Sequence, residues 1–360
     1  PEYDVRNTDV VVDYRLDVSD KLSLRPELSF QQAVIDDRDY AVDGNIGFVN
    51  SRVSNYTASG SLKADYHPTE NWRWVAALRV DKFRVPDQVY VSYQLATTYK
   101  IAERYLLRMA QSRSTSGAFF SSYFIDVPVV PISPTQGVVS VANPTLDVVS
   151  NSMTEVGVRA QVTNTLQFDA ALFRQHIEDL NYQYPVTSTP LTETFEVQTL
   201  QSINLPTEAT QWGVTLSANF VPSVRVQVKP FVTWQATQVT DLPTTTSAQF
   251  TNLVDDTHHS TPSFYGGAFV NYAPYRKLNV NVSAYFFSQH TIYHVEDLRR
   301  PSMEGQIAGK LLTNAKVSYE VAKKLDFYVN GRNLLGNDSR EYYGTDRIGR
   351  MLLGGVSYNF

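Results

Sequence analysis

The sequence contains no cysteine, which removes a disulfide framework, a thiolate metal site and thiol catalysis from consideration. It also lacks any run approaching the roughly 18 consecutive apolar residues of a membrane-spanning helix. Basic residues are too few and too scattered to form a phosphate-neutralising patch, and the net charge is −5. Nucleic acid is therefore excluded as a partner. The start, Pro1-Glu2-Tyr3-Asp4, has neither a basic n-region nor an apolar h-region. The expectation is that a signal was removed or that the protein begins further upstream. Mean hydropathy is −0.26, a value that excludes helical membrane proteins. It leaves β-barrels open, because lipid-facing and lumen-facing residues alternate and average out.

What the sequence does contain is alternation. Aromatics are abundant, with 22 Tyr and 18 Phe, while only 19% of residues are charged. Val224, Val226, Val228, Pro230, Val232, Trp234 and Ala236 share one face, opposed by Arg225, Gln227, Lys229, Thr233 and Gln235. The same period of two recurs in Val10–Val18, Leu22–Phe30, Trp72–Val80, Leu278–Phe286 and Leu325–Val329. One face is apolar and the other carries charges that must see water, a pattern that separates lipid from a polar lumen. The joins alternate between short turns, such as Val18-Ser19-Asp20 and Thr163-Asn164, and longer loops near 36–55, 114–152, 181–206, 241–261, 294–310 and 337–349. A soluble β-sandwich has no reason to collect its long loops at one end. The fold class expected is all-β, a transmembrane antiparallel β-barrel with about fifteen strands over residues 1–360. Pro26 and Pro230 fall within strands, where a bulge or distortion is expected. An odd strand number places the two chain ends on opposite sides of the membrane, so strands are expected to be missing at the N-terminal end.

Several residues are candidates for chemistry. Asp255, Asp256, His258 and His259 cluster in one outer loop and form a weak metal-site candidate, or an enzyme-like one; adjacent pairs cannot all converge on one ion, so a solvated polar loop is the alternative. Asp36, Asp37 and Asp39 offer oxygens to Ca²⁺ but lack the rest of a ligand set, which favours a hydrated acidic loop. Ser121 and Ser122 have no His beside them in sequence, and nothing argues for nucleophilic catalysis. The 114–152 loop holds Phe119, Phe120, Tyr123 and Phe124, aromatics that suit stacking on a flat ligand or, equally, packing of the loop on itself. Arg299 and Arg300 suit an anionic ligand or structural ion pairs.

Asn143-Pro144-Thr145-Leu146, followed by Glu155-Val156-Gly157, resembles the Asn-Pro-x-Leu…Glu-x-Gly signature of TonB-dependent receptors. Asn204 with Trp212-Gly213-Val214-Thr215-Leu216, Asn333-Leu334-Leu335-Gly336 with Tyr342-Tyr343, and a terminal strand ending at Phe360 are similar to later segments of that family. The resemblance covers roughly residues 90–360. Val148-Val149 and Thr215 depart from the family pattern, which uses Pro-Glu and Glu there. The resemblance implies a Gram-negative outer-membrane location and a 22-strand barrel. This chain would be its C-terminal part, without the N-terminal plug, the TonB-box peptide and the first strands. It also implies energy from the TonB–ExbB–ExbD complex and uptake of a scarce small nutrient: a ferric siderophore, cobalamin, an oligopeptide or a glycan. A surface lipoprotein is a further implied partner, and no cofactor or enzymatic activity is implied. The alternatives from other classes are a passive porin, which needs an inward-folded constriction loop, and an omptin-like outer-membrane enzyme, for which only the Asp/His loop speaks.

Overall fold

Period-two sequences become strands because alternation lets one pleated segment satisfy two solvents at once. In a computed structural model, which describes residues 2–40, 47–241, 257–293, 304–338, 340 and 347–358, these segments form one large sheet. In chain order the strands are β1 (Asp4–Asp13), β2 (Leu16–Ser19), β3 (Leu22–Asp36), β4 (Arg52–Thr69), β5 (Trp72–Phe83), β6 (Val89–Ile101) and β7 (Tyr105–Ser116). There follow the short helix α1 (Phe120–Phe124), β8 (Asp126–Ser133), β9 (Gln136–Val141), β10 (Val149–Thr163), β11 (Leu166–Glu178), β12 (Asn181–Thr192) and β13 (Phe195–Asn204). The remainder are β14 (Glu208–Ser223), β15 (Val226–Thr240), β16 (Phe264–Tyr275), β17 (Leu278–Phe287), β18 (His290–Tyr293), β19 (Glu304–Ile307), β20 (Lys310–Ala322), β21 (Leu325–Arg332) and β22 (Met351–Tyr358).

The large sheet has 16 strands in the order β1-β3-β4-β5-β6-β7-β10-β11-β14-β15-β16-β17-β20-β21-β22, with β2 also on β3. All its pairings are antiparallel. β1 and β2 run one after the other along β3, so the sheet is fifteen strands wide, as the sequence pattern predicts. Among the described residues β1 and β22 each have a partner on one side only.

The two faces differ as expected. Leu28, Leu62, Leu78, Leu107, Leu172 and Leu216 are exposed on one face, and charged or polar residues occupy the other. At the short-turn end Trp72 packs against Trp74 at 5.4 Å and Tyr99 at 6.2 Å. Its indole N–H donates to Thr97 Oγ1 at 2.9 Å. An apolar ring body with a satisfied polar tip suits the edge of the hydrocarbon layer.

Each of the two strand prolines has the expected distortion beside it. Pro26 lies in unbroken register with β4, and the interruption falls on its other neighbour, where Tyr14 and Arg15 separate β1 from β2. Proline has no N–H to offer that side, although its carbonyl still accepts from Tyr14 N at 3.2 Å. Pro230 pairs with Ala268 on β16, while the β14–β15 ladder lacks the rungs between Ser217↔Phe231 and Phe220↔Val228.

The loops correct the sequence reading. Residues 114–152 and 181–206, expected to be irregular, contain α1 and a four-stranded sheet ordered β12-β13-β9-β8. The β3–β4 loop spans residues 37–51, and the β17–β20 connection carries the hairpin β18–β19. The connection around Val85-Pro86-Asp87 is short.

The face assignment is testable at the centre of β11, where Leu172 is 59% exposed. Leu172→Arg should destabilise the protein in lipid vesicles by about 2–4 kcal/mol. Gln175→Arg, on the opposite face, should change stability by less than about 1 kcal/mol. Guanidinium unfolding of the two variants reports the difference, and equal losses would contradict the assignment.

Candidate functional site

The outer loops form one connected assembly. β9 and β13, from different loops, pair in parallel from Glu196↔Gln136 to Gln201↔Val141. β8 and β12 flank them as edges. Beneath this sheet Asn143 donates through Nδ2 to Ser202 O at 2.8 Å, and its Oδ1 accepts from Thr145 N and Oγ1. Asn204 Oδ1 accepts from Asp147 N at 2.8 Å, and its Nδ2 donates to Asp147 O and Asp179 O. The Tyr90 hydroxyl donates to the Asp147 carboxylate, and Leu146 is fully buried. The Asn-Pro-x-Leu segment and Asn204 thus form the seam that joins two loops to the top of β6.

The β3–β4 loop is tied on by Asp126 N donating to Phe48 O at 3.1 Å and Asn50 Nδ2 donating to Asp126 O at 2.5 Å. It is organised around Asp37, which has no exposed surface. Its Oδ2 accepts from the backbone N–H of Phe48, Val49 and Asn50 at 2.6, 2.7 and 3.1 Å, and Oδ1 from Ser51 N at 2.9 Å. Burial alone would raise its pKa, but the four backbone donors outweigh it and hold the carboxyl below the usual range. Asp36 instead takes Arg38 in a forked pair at 2.9 and 2.7 Å. The Asp36–Asp37–Asp39 run is therefore a loop anchor with a neighbouring ion pair, and its carboxylates do not converge on a cation.

Below the loops, the hydrophilic face carries charges paired across strands. Arg108 lies flat over β10, donating through Nη1 and Nη2 to Asp169 at 2.8 and 2.7 Å and through Nε to Glu155 at 3.0 Å. Arg159 Nε also donates to Asp169, at 2.9 Å. A Cβ at Gly157 would stand 2.6 Å from Arg108 Cζ. The Glu-x-Gly pair therefore has a physical meaning: glycine opens the path across β10, and Glu155, two residues along the same face, receives the guanidinium. Gly213 plays the matching part on β14, where the Phe173 ring fills the space a Cβ would take, 2.1 Å from Cζ. Nearer β1, Arg79 bridges Asp81 at 2.8 Å, Ser59 at 2.9 Å and Glu27 at 3.4 Å. Arg25 pairs with Asp13 at 2.6 Å. Arg25, Glu27, Lys63 and Arg79 border a groove of about 480 Å³ on this wall.

At the far end of the sheet Asn333 sits at φ 48°, a left-handed conformation that asparagine tolerates. It closes its own turn: Nδ2 donates to Asn337 O at 2.7 Å and Ile348 O at 2.8 Å, and Oδ1 accepts from Asn337 N. Gly336, at φ 67°, completes the reversal that leads toward β22.

The candidate ligand aromatics divide. Phe119 is 81% exposed, and Phe120 and Phe124 pack against each other at a tilt of 42°, with ring centroids 4.6 Å apart. Phe120 also borders a groove with Asn7, Asp9, Gln31 and Asn55, so α1 reaches back to β1, β3 and β4. Tyr123 follows the alternative of packing of the loop on itself: it is 2% exposed and its hydroxyl accepts from Ala118 N at 3.1 Å. His258 is half-buried, and burial followed by the neighbouring charge of His259 pushes its pKa down, which favours a neutral ring. Asp255, Asp256, Arg299, Arg300, Tyr342, Tyr343 and Phe360 lie outside the described residues. Sequence reasoning missed Asp37 as an anchor and the Arg108–Asp169 bridge, whose partners are 61 residues apart.

A strand-built wall with an apolar belt, paired lumenal charges and long loops gathered at one end defines an outer-membrane β-barrel receptor. The chain belongs to the TonB-dependent receptor-like β-barrel family, whose model matches residues 2–334. That family is one of receptors and transporters of the Gram-negative outer membrane. The chain is similar to the ferric enterobactin receptor of Pseudomonas aeruginosa, with a TM-score of 0.76 and 12% identity, over 99% of this chain and 54% of that one. A siderophore receptor of Acinetobacter baumannii matches with TM-score 0.76 and 13% identity over 99% and 55%. The FrpB iron transporter of Neisseria meningitidis matches at 0.70 and 12% over 99% and 55%. The chain thus spans about half the length of the solved structures it resembles. No curated protein matches the sequence.

Two outcomes follow from this geometry. Gly157→Ala and Arg108→Gln should each cost about 1–3 kcal/mol, and the double variant little more than the larger single loss, because both break the same bridge. Denaturant midpoints measure the cycle, and fully additive losses would refute the shared role. For Asp37 the folded pKa is depressed. Its contribution is therefore present above the ordinary carboxyl pKa of 3.8 and lost as pH falls through the lower folded value. Amide exchange at residues 48–51 should stay slow at pH 5 and accelerate only below about pH 4. Asp37→Asn should be fast at both, and an unchanged rate in that variant would rule out the anchor.

Proposed function

We propose that the chain forms the spanning wall and outer loops of an active, TonB-dependent transporter in the outer membrane, taking up a scarce nutrient as a small chelate of the ferric-siderophore class. The observation that carries the reading is the outer loop assembly. Two loops share one sheet through the β9–β13 pairing, with exposed Phe119 and the tilted Phe120–Phe124 pair beside it. Such a preorganised shelf bearing aromatic faces binds a flat, polar-edged ligand at little ordering cost. The similar solved receptors, named for enterobactin and siderophores, support the choice of ligand class. Cobalamin, oligopeptides and glycans are less favoured by the same neighbours.

The partners follow from the wall. Among the described residues the sheet ends at β1 and β22, and a sheet edge left open in hydrocarbon costs several kcal/mol for each unsatisfied backbone group. Further strands are proposed to continue the sheet at these edges. A plug-bearing segment is proposed to fill the lumen against the Arg79 and Arg108 bridges, with the TonB–ExbB–ExbD complex supplying energy.

The test is uptake of radiolabelled ferric siderophores by iron-starved cells carrying the whole receptor. Uptake should vanish in cells without the receptor and in cells without TonB. Phe119→Ala should raise the half-saturating concentration about threefold to tenfold, corresponding to a lost stacking energy of about 0.5–1.5 kcal/mol. Uptake that continues without TonB would support a passive channel and sink the proposal.

A further inference from the structure

The face of β11 and β14 that points away from the lumen carries a group of side chains that transport does not use. The register pairs His176 with Thr210 and Ile177 with Ala209, so the next rung sets Glu178 opposite Glu208. Alternation places His176, Glu178 and Glu208 on the same face as the exposed Leu172 and Trp212. Arg174, whose guanidinium sits 5.3 Å from the centre of the Trp212 ring, lies between that apolar belt and the cluster. The cluster therefore stands just beyond the hydrocarbon edge, at the outer end of the wall.

Two carboxylates directly opposite on one face repel each other. Arg113 relieves only one of them, through a contact of 3.3 Å between Nη2 and Glu178 Oε1. His176 Nδ1 is in hydrogen-bond contact with Thr210 Oγ1 at 2.9 Å, which orients the ring and leaves Nε2 facing Glu208 Oε2 at 3.6 Å. One donor atom from each of His176, Glu178 and Glu208 lies within 4.8 Å of the other two. Tetrahedral coordination at about 2.0–2.2 Å brings donors to roughly 3.4 Å from one another, a contraction that small side-chain rotations supply.

We propose that His176, Glu178 and Glu208 bind one divalent transition-metal ion of the zinc class on the outer rim of the wall, separate from the lumenal path of the transported ligand. One imidazole nitrogen and two carboxylates form a borderline donor set that suits Zn²⁺ better than the all-oxygen shells of Ca²⁺ or Mg²⁺. The fourth position faces solvent, open to water or to an anionic head group. A dication at this point neutralises both glutamates, which Arg113 alone does not.

The experiment is Zn²⁺ binding by the whole receptor in detergent, read by calorimetry and by X-ray absorption at the metal edge. Wild type should bind an ion with one nitrogen and two or three oxygen neighbours. His176→Gln and Glu208→Gln should weaken this binding by more than about tenfold, and Thr210→Val by about tenfold through loss of ring orientation. A variant with both His258→Gln and His259→Gln should keep the ion. Unchanged transport of the ferric chelate in His176→Gln separates this site from the uptake function and shows that the variant is folded. The proposal is overturned if His176→Gln binds Zn²⁺ as wild type does, or if the His258/His259 variant loses the ion. It is also overturned if wild type binds none.

Discussion

Backbone pairing between neighbouring strands is the constraint from which the rest of this molecule follows. A peptide group in hydrocarbon has no water to turn to, so each spanning strand must exchange hydrogen bonds with its neighbours along its whole length. The ladder from β3 to β22 meets that demand with register shifts gathered mainly beside the short turns. Because the side-chain period is two, a slip of one residue would carry every lumenal charge into lipid. Register is therefore fixed by both faces together, more strongly than in a sheet with one solvated side. Even the prolines obey: Pro26 has a broken strand beside it, and Pro230 has a gap in one ladder and a continuous one in the other.

Once register is fixed, the lumenal charges can be placed against one another. Arg108 reaches Asp169 only because β10 intervenes with a residue that has no side chain. Glycine in a strand normally weakens it, and here the space it leaves is filled by a guanidinium that binds on three sides. Phe173 over Gly213 repeats the device with an aromatic ring. At these two positions the wall is smoothed by neighbouring side chains laid over glycines, and the Arg108 charge is met by Asp169 and Glu155. Arg79, shared among Asp81, Ser59 and Glu27, extends the same logic across β3, β4 and β5.

This division of labour explains what the sequence disclosed. Alternation is a local property, so the strands, their faces, the fifteen-strand width and the end that carries the long loops were legible from residues alone. The bridges were not, because Arg108 and Asp169 meet through a register that the sequence does not state. Asp37 was hidden for the same reason: the acidic run reads as a hydrated loop, whereas Asp37 is buried with its acceptors facing the amides of Phe48, Val49, Asn50 and Ser51. The outer sheet was hidden by its prolines. Pro128 and Pro131 lie in β8, and Pro185 and Pro190 in β12. Both strands are edges of their sheet, and register shifts fall at all four. Proline excludes a central strand and permits an edge, so the residues that argued against strands were marking where a small sheet ends.

The same reasoning bears on how the loops behave. A loop that packs only on itself moves alone, whereas β9 and β13 belong to different loops and share a continuous ladder. Displacing one without the other would break that ladder and the Asn143–Ser202 and Asn204–Asp147 bonds beneath it. Asp147 is also held by Tyr90 at the outer end of β6, which joins the pair to the wall. Contacts of the proposed ligand with Phe119 or the tilted Phe120–Phe124 pair would therefore be made with a unit fixed at several points. The ordering entropy that a free loop would lose on binding has largely been spent in folding. Preorganisation of this kind favours capture of a dilute ligand, whose encounter with the surface is rare, over the rapid unselective passage that an open channel requires.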